Sequence, residues 1–269
     1  MEPSARTLRE GAGIDQQVKV GDLLLRVRRI HAASKSGSPV LVFLHDSLGC
    51  VETWRDFPGR LAKRAGLDAL IYDRRGYGQS SPFGKEARTT KYLHEEAEVL
   101  FALLDALGIQ RVALFGHSDG GSIALLAAAL RPGQVDAVVT EGAHVFVEEA
   151  GLSGILEARA MLASTDLRER LVRYHGAKTD GVTSAWIDTW LSPEFRDWNI
   201  ESYLPQVVCP VLAIQGEEDE YGTPAQVLAI VRGVGAQARS LMVPKVGHTP
   251  HRDAASAVLG ASATFLASC

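Results

Sequence analysis

No apolar run in this chain approaches the roughly 20 residues that a helix needs to cross a bilayer. The most apolar stretch, residues 123–130, reads as a buried helix instead. The first residues, Met1-Glu2-Pro3-Ser4-Ala5-Arg6, lack a charged segment followed by an apolar one, so no secretory signal is expected. Cysteine is scarce. Cys50, Cys209 and Cys269 are odd in number and far apart, which argues against a disulfide framework and for a reducing compartment. Basic runs are absent and the net charge is −4, so nucleic acid is not an expected partner. Internal repeats and low-complexity tracts are missing as well. These absences lead to the expectation of a soluble, cytoplasmic protein with no membrane association and a small-molecule substrate. They leave a homo-oligomer open.

Two further absences concern cofactors. The segment Gly247-His248-Thr249-Pro250-His251 lacks the i, i+4 histidine spacing and the additional ligands of a zinc site, so no metal is expected. Gly76-Tyr77-Gly78-Gln79-Ser80 lacks the third glycine and the following helix start of a dinucleotide site. No cofactor is therefore expected.

What the chain does have is alternation. Its 269 residues, 46% apolar and 22% charged, suffice for one large α/β domain or two small ones. The continuously apolar run 40–44 has the pattern of a strand buried on both faces of a parallel sheet. Strands are also expected at 23–30, 69–72, 112–115, 137–140, 211–214 and 240–243. Helices are expected at 52–64, up to Gly108, after Ser118, at 224–234 and from about Asp253. This order predicts an α/β fold with a doubly wound, mostly parallel sheet. Helical segments at 153–161, 167–174 and 184–191 have no strand between them. A stretch of that length is too long for a plain loop, and it predicts an inserted helical cap over residues 143–204. The core is then 1–142 with 205–269, and the cap covers the carboxyl edge of the sheet, where open α/β sheets place ligands.

The motif with most chemical content is Gly116-His117-Ser118-Asp119-Gly120-Gly121, set between an apolar strand and an apolar helix. Glycines two residues either side of Ser118 permit a sharp strand–turn–helix that exposes the hydroxyl in a strained conformation. The turn also opens a helix, whose free N–H groups and dipole favour negative charge. A serine hydroxyl is a weak nucleophile that needs a base, and the base needs an orienting acid. Asp219, after the strand 211–214, and His248, after the strand 240–243, supply both in the order Ser118, Asp219, His248. His251 is a second candidate base, and Glu218 and Glu141 are alternative acids.

With these motifs the chain resembles the α/β-hydrolase superfamily from about Leu23 to Leu266, and within it the small capped bacterial esterases, C–C hydrolases and lactonases. Asp73-Arg74-Arg75-Gly76-Tyr77-Gly78-Gln79-Ser80 matches the family's D-x-x-G-x-G-x-S segment, and Gly216 to Asp219 its acid motif. Leu44-His45-Asp46-Ser47-Leu48-Gly49 stands where the family has its oxyanion loop, with Asp46 in place of the usual glycine. The resemblance implies the backbone N–H groups of Asp119 and Ser47 as oxyanion donors. His45 and His117 flank the nucleophile and are read as shaping loops. His45 is also assigned, with Trp186 and Trp190, to the substrate pocket. The two tryptophans stand at i, i+4 on one helix face, placed to staple the cap to the core or to line the pocket.

The expected function is a cofactor-independent serine hydrolase that cleaves a small ester, thioester or lactone through an acyl-enzyme. A serine at the elbow argues against haloalkane dehalogenase and epoxide hydrolase chemistry, which need a carboxylate nucleophile. C–C bond hydrolysis of a diketone-like acid by the same triad remains an alternative, as does a non-catalytic receptor or binding protein on the same scaffold.

Overall fold

A computed structural model describes residues 13–84 and 88–269. Residues 1–6, read above for a signal sequence, lie outside the described residues. Among those described, eight strands form one sheet in the order β1-β2-β4-β3-β5-β6-β7-β8. They are β1 (Ile14–Val20), β2 (Leu23–Ile30), β3 (Val40–Leu44), β4 (Ala69–Tyr72), β5 (Val112–His117), β6 (Val135–Glu141), β7 (Val211–Gly216) and β8 (Ala238–Val243). β1 with β2 and β2 with β4 are antiparallel, and every other neighbouring pair is parallel. The helices are α1 (Phe57–Ala65), α2 (Tyr92–Ala106), α3 (Asp119–Leu130), α4 (Glu149–Ser164), α5 (Leu167–His175), α6 (Thr179–Trp190), α7 (Pro224–Val234), α8 (Pro250–Asp253) and α9 (Ala255–Ala267). This is the doubly wound, mostly parallel arrangement that the alternation predicts. One core layer packs α1 and α9 against the sheet, and the other packs α2, α3 and α7.

Burial explains the element types. β3, β5 and β7 are covered on both faces, which is why they read as unbroken apolar runs. All but the last residue of α3 is buried, so its apolar character shows no stripe. Two local differences from expectation have physical causes. β1 is absent from the sequence reading because most of its side chains are exposed and polar, and its strand character comes from pairing with β2 across a turn at Gly21 (φ 55°). The single helix expected at 52–64 is instead a 3₁₀ turn at Val51–Trp54 and the separate α1. Pro58 stands in the first turn of α1, where a proline ring excludes the helical carbonyl four residues back, that of Trp54. Arg55, at φ 54°, breaks the chain direction between the two.

Between β6 and β7 the chain carries α4, α5 and α6 with no strand, as its spacing suggests. The two ends of this segment are joined by a bridge between Phe146 and Asn199 and by the Ile200 N–H donating to the Val145 carbonyl at 2.7 Å. No helix among the described residues is long and apolar enough to cross a membrane.

Candidate active site

Five loops at the carboxyl ends of parallel strands converge on one cavity of about 220 Å³. They follow β3 (Asp46, Ser47, Leu48), β5 (Ser118, Asp119), β6 (His144), β7 (Glu220, Tyr221) and β8 (His248). This is the edge where open α/β sheets bind ligands. Trp186 and Trp190 of α6, with Gly151 and Ile155 of α4, complete the lining.

Ser118 joins β5 to α3 with φ 55° and ψ −122°, a region that side-chain-bearing residues rarely occupy. The strain is held by hydrogen bonds: the Ser118 N–H donates to the Glu141 carbonyl at 2.8 Å, and the Gly121 N–H donates to the Ser118 carbonyl at 2.8 Å. The flanking glycines serve differently from the turning role expected of them. Neither has positive φ, and the strained residue is the serine itself. A Cβ on Gly116 would press into the Gly120 carbonyl, and one on Gly120 into the Leu44 carbonyl. The glycines therefore allow backbone segments to pack against each other beneath the turn.

His248 Nδ1 stands 2.9 and 3.0 Å from the two carboxylate oxygens of Asp219, so the Nδ1–H donates to this carboxylate. Nε2 is thereby left as the nitrogen that carries the lone pair. The carboxylate is also fixed by the Tyr221 N–H at 2.9 Å, and the His248 N–H donates to Glu220 at 3.1 Å. Burial opposes the charged form of Asp219, but the charge and hydrogen bond of His248 outweigh it and hold the carboxyl below its ordinary value.

The candidate acids separate cleanly. Asp219 meets His248, whereas Glu141 is buried on His251, at 2.5 Å from Nδ1 and 2.5 Å from its backbone N–H. Glu218 is exposed and bonds neither histidine. Glu141 is also held below its ordinary value: burial raises it, and the attraction of His251 more than offsets this. Both depressed carboxyls contribute stability that is complete above their unfolded values, 3.8 for aspartate and 4.5 for glutamate, and lost as pH falls through the folded values. The thermal midpoint is accordingly expected to fall as pH drops below about 4.5. In differential scanning fluorimetry, Glu141→Gln should show a shallower fall than the unsubstituted chain.

His45, assigned above to the substrate pocket, does not reach it. Its ring is fully buried behind the loop after β3, where Nδ1–H donates to the Asp46 carbonyl at 2.7 Å and Nε2 accepts from the Arg74 N–H at 3.0 Å. Burial, with Arg74 nearby, pushes its pKa well below the ordinary value, so the ring is a neutral tie between two loops. Asp46 needs no glycine in its place, because it lies outside the left-handed region. Its carboxylate instead accepts from the Leu48 N–H at 3.3 Å and stands 3.8 Å from His117 Nδ1. His117 in turn donates from Nε2 to the His248 carbonyl at 2.8 Å and so braces the loop after β8.

Ser47 and Asp119 both line the cavity, and neither backbone N–H donates a hydrogen bond among the described residues. His117, Glu141 and His251 place ligand atoms within 4.8 Å of one another, the nearest approach to a metal-ligating set among the described residues. Each is already engaged by the hydrogen bonds above.

The sequence reading missed His144, Tyr221 and Arg74. Tyr221 lies 4.8 Å from His248, ring centre to ring centre. His144 donates from Nε2 to the Tyr221 carbonyl at 2.9 Å. Burial and the neighbouring His248 lower its pKa, so it stays neutral. Position after β6 and β7 at the carboxyl edge was the available signal for the first two.

The comparisons with known proteins agree with this architecture. A family model described as the alpha/beta hydrolase fold matches residues 39–200, more than half of the chain. The human serine hydrolase BPHL is 30% identical over 191 residues, which cover 68% of this chain and 64% of that protein. The chain thus spans somewhat under two thirds of the length of this relative. An epoxide hydrolase of Caballeronia sordidicola is 35% identical over 45% of this chain and 36% of its own. Among solved structures, a proline iminopeptidase of Mycobacterium smegmatis superposes with a TM-score of 0.73 at 22% identity, covering 94% of this chain and 97% of that one. Fold, family match and relatives converge: this chain belongs to the α/β-hydrolase family.

Proposed function

We propose that the protein is a serine hydrolase that cleaves small esters, thioesters or lactones whose acyl part is neutral or cationic. Ser118 Oγ attacks the carbonyl carbon as its proton passes to His248 Nε2. The carbonyl oxygen becomes negative and is met by the N–H groups of Ser47 and Asp119. Collapse breaks the carbon–oxygen (or carbon–sulfur) bond, and His248 returns the proton to the leaving group. Water, deprotonated by the same nitrogen, then releases the acid from Ser118. Asp219 keeps His248 in the correct tautomer and stabilises the imidazolium. Residues 143–204 act as the cap on a core of 1–142 and 205–269.

The observation that carries this reading is a strained Ser118 that lines one cavity with a His248 already paired through Nδ1 with Asp219. A serine at this turn speaks against epoxide hydrolase chemistry of the kind that needs a carboxylate nucleophile. The cavity, about 220 Å³, is below the roughly 300–1,000 Å³ of sites for drug-sized ligands, which favours short acyl groups. Asp46 and Glu220 line it together with Asp119, whose carboxylate is held by Arg74, and no lysine or arginine lines it among the described residues. A diketone-like acid would bring its carboxylate to these acids without a cation to receive it, so C–C hydrolysis is the weaker reading.

The test is a chain-length and charge series of p-nitrophenyl esters. Acetate and butyrate should be turned over at least about tenfold faster in kcat/KM than decanoate or a succinate half-ester. A fluorophosphonate probe should label Ser118. No labelling and no turnover would favour a binding protein, and preference for the anionic ester would return C–C hydrolysis to first place.

A further inference from the structure

Arg74 is a fully buried arginine that the mechanism above does not use. We propose that it is a positioning residue for the oxyanion hole, one guanidinium holding both donor-bearing segments. This rests on the hydrolase reading of the site.

Its Nη2 donates to the Asp46 carbonyl at 3.0 Å and to the Asp119 carboxylate at 3.4 Å. The Asp46 carbonyl and the Ser47 N–H belong to one rigid peptide plane, on opposite sides of it. Fixing the carbonyl on Arg74 therefore aims the Ser47 N–H the other way, and Ser47 lines the cavity. The same carbonyl also accepts from His45 Nδ1–H at 2.7 Å. A carbonyl that accepts from a cation and an imidazole polarises its peptide and makes the attached N–H a stronger donor.

The second segment begins with Asp119, the first residue of α3, whose N–H has no partner within the helix. Its carboxylate is tied by Arg74 and by the Tyr92 hydroxyl at 3.0 Å, and Tyr92 accepts from Trp190 Nε1 at 2.9 Å. Arg74 thus sits behind both donors at once.

Stability is a poor explanation for a cation in this position. Buried ion pairs are often replaceable as whole pairs by apolar side chains without loss, so the Arg74–Asp119 pair is weak evidence for a purely structural role. Arg74 is moreover imperfectly satisfied: its guanidinium lies over the Tyr77 ring at 4.7 Å, but its Nε and Nη1 are buried with no hydrogen-bond partner among the described residues. A charge so placed does more for a negative oxygen that develops on the far side of the peptide than for the resting fold.

The experiment measures Arg74→Met and Arg74→Lys on p-nitrophenyl butyrate, beside Leu100→Ala as a core variant of lowered stability. Arg74→Met should lose about ten- to a hundredfold in kcat, short of the roughly hundred- to thousandfold cost of losing a whole donor. KM should stay within about twofold, because the interaction strengthens only in the transition state. Arg74→Lys should recover part of the loss. An aryl boronic acid, which forms a tetrahedral adduct on Ser118, should lose affinity by the same factor as kcat/KM.

Leu100→Ala should lower the thermal midpoint without moving either ratio. If Arg74→Met does not fold, Arg74→Lys carries the same test at smaller amplitude. A raised KM with unchanged kcat, an unchanged boronate affinity, or losses equal to those of Leu100→Ala would overturn the inference. A fluorophosphonate probe separates the two levels. An unlabelled wild-type chain overturns the hydrolase reading and this inference with it, whereas a labelled chain with unaltered Arg74 variants overturns the inference alone.

Discussion

Ser118→Ala is expected to lower kcat for p-nitrophenyl butyrate by about 10⁶-fold, to the residue of catalysis left by the donors and by substrate binding. Among the described residues the cavity lining offers only Ser47, Tyr221 and Thr249 as other hydroxyls, and none of these sits on the strained turn. The fold should survive, because the backbone bonds of residue 118 to Glu141 and Gly121 do not involve the side chain. A second substitution separates chemistry from strain. Ser118→Gly should be equally inactive yet more stable by about 1 kcal/mol, since glycine occupies φ 55° without the cost that a Cβ brings. For a chain of this size that is a rise of about 2–4 °C in thermal midpoint, measurable by calorimetry. Retained turnover in a pure Ser118→Ala sample would remove the serine from the mechanism. A Ser118→Gly protein less stable than wild type would remove strain from the account of the elbow.

The second large effect concerns the acid. Asp219→Asn should lower kcat by about 10⁴-fold at neutral pH, because an amide in this place no longer selects the imidazole tautomer with its lone pair on Nε2. Glu141→Gln, by contrast, should leave kcat within a few-fold, since Glu141 serves His251 and not His248. Its cost should appear in stability, through a buried histidine that loses its charged partner. Steady-state kinetics and thermal unfolding on the two variants divide the roles. Equal losses of kcat from both would mean that the two histidine–acid pairs act as one unit.

These contrasts mark what was legible beforehand. Gly116 to Gly121 announces its turn because the chemistry of an exposed serine demands small neighbours locally, within five residues. The parallel strands announce themselves for a similar reason: β3, β5 and β7 are buried on both faces, and double burial leaves an unbroken apolar run. The break at Pro58 was also present in the chain, as a proline within a helix-like pattern, and only the exclusion of the Trp54 carbonyl turns it into two elements. His45 illustrates the opposite case. Its place in the loop after β3 suggested a pocket residue, while the three-dimensional packing buries its ring between two loops, with Arg74 from a distant segment as partner.

The sequence by itself determined the alternation of strands and helices, the strained elbow, and the order of serine, aspartate and histidine. Those follow from periodicity and from short-range backbone sterics, which act between neighbours in the chain. Only the tertiary structure decided which acid meets which histidine, which carbonyl and carboxylate Arg74 binds, and which side chains line the cavity. Those outcomes depend on groups as far apart as His251 and Glu141, 110 residues distant along the chain, and on a burial that no local pattern records.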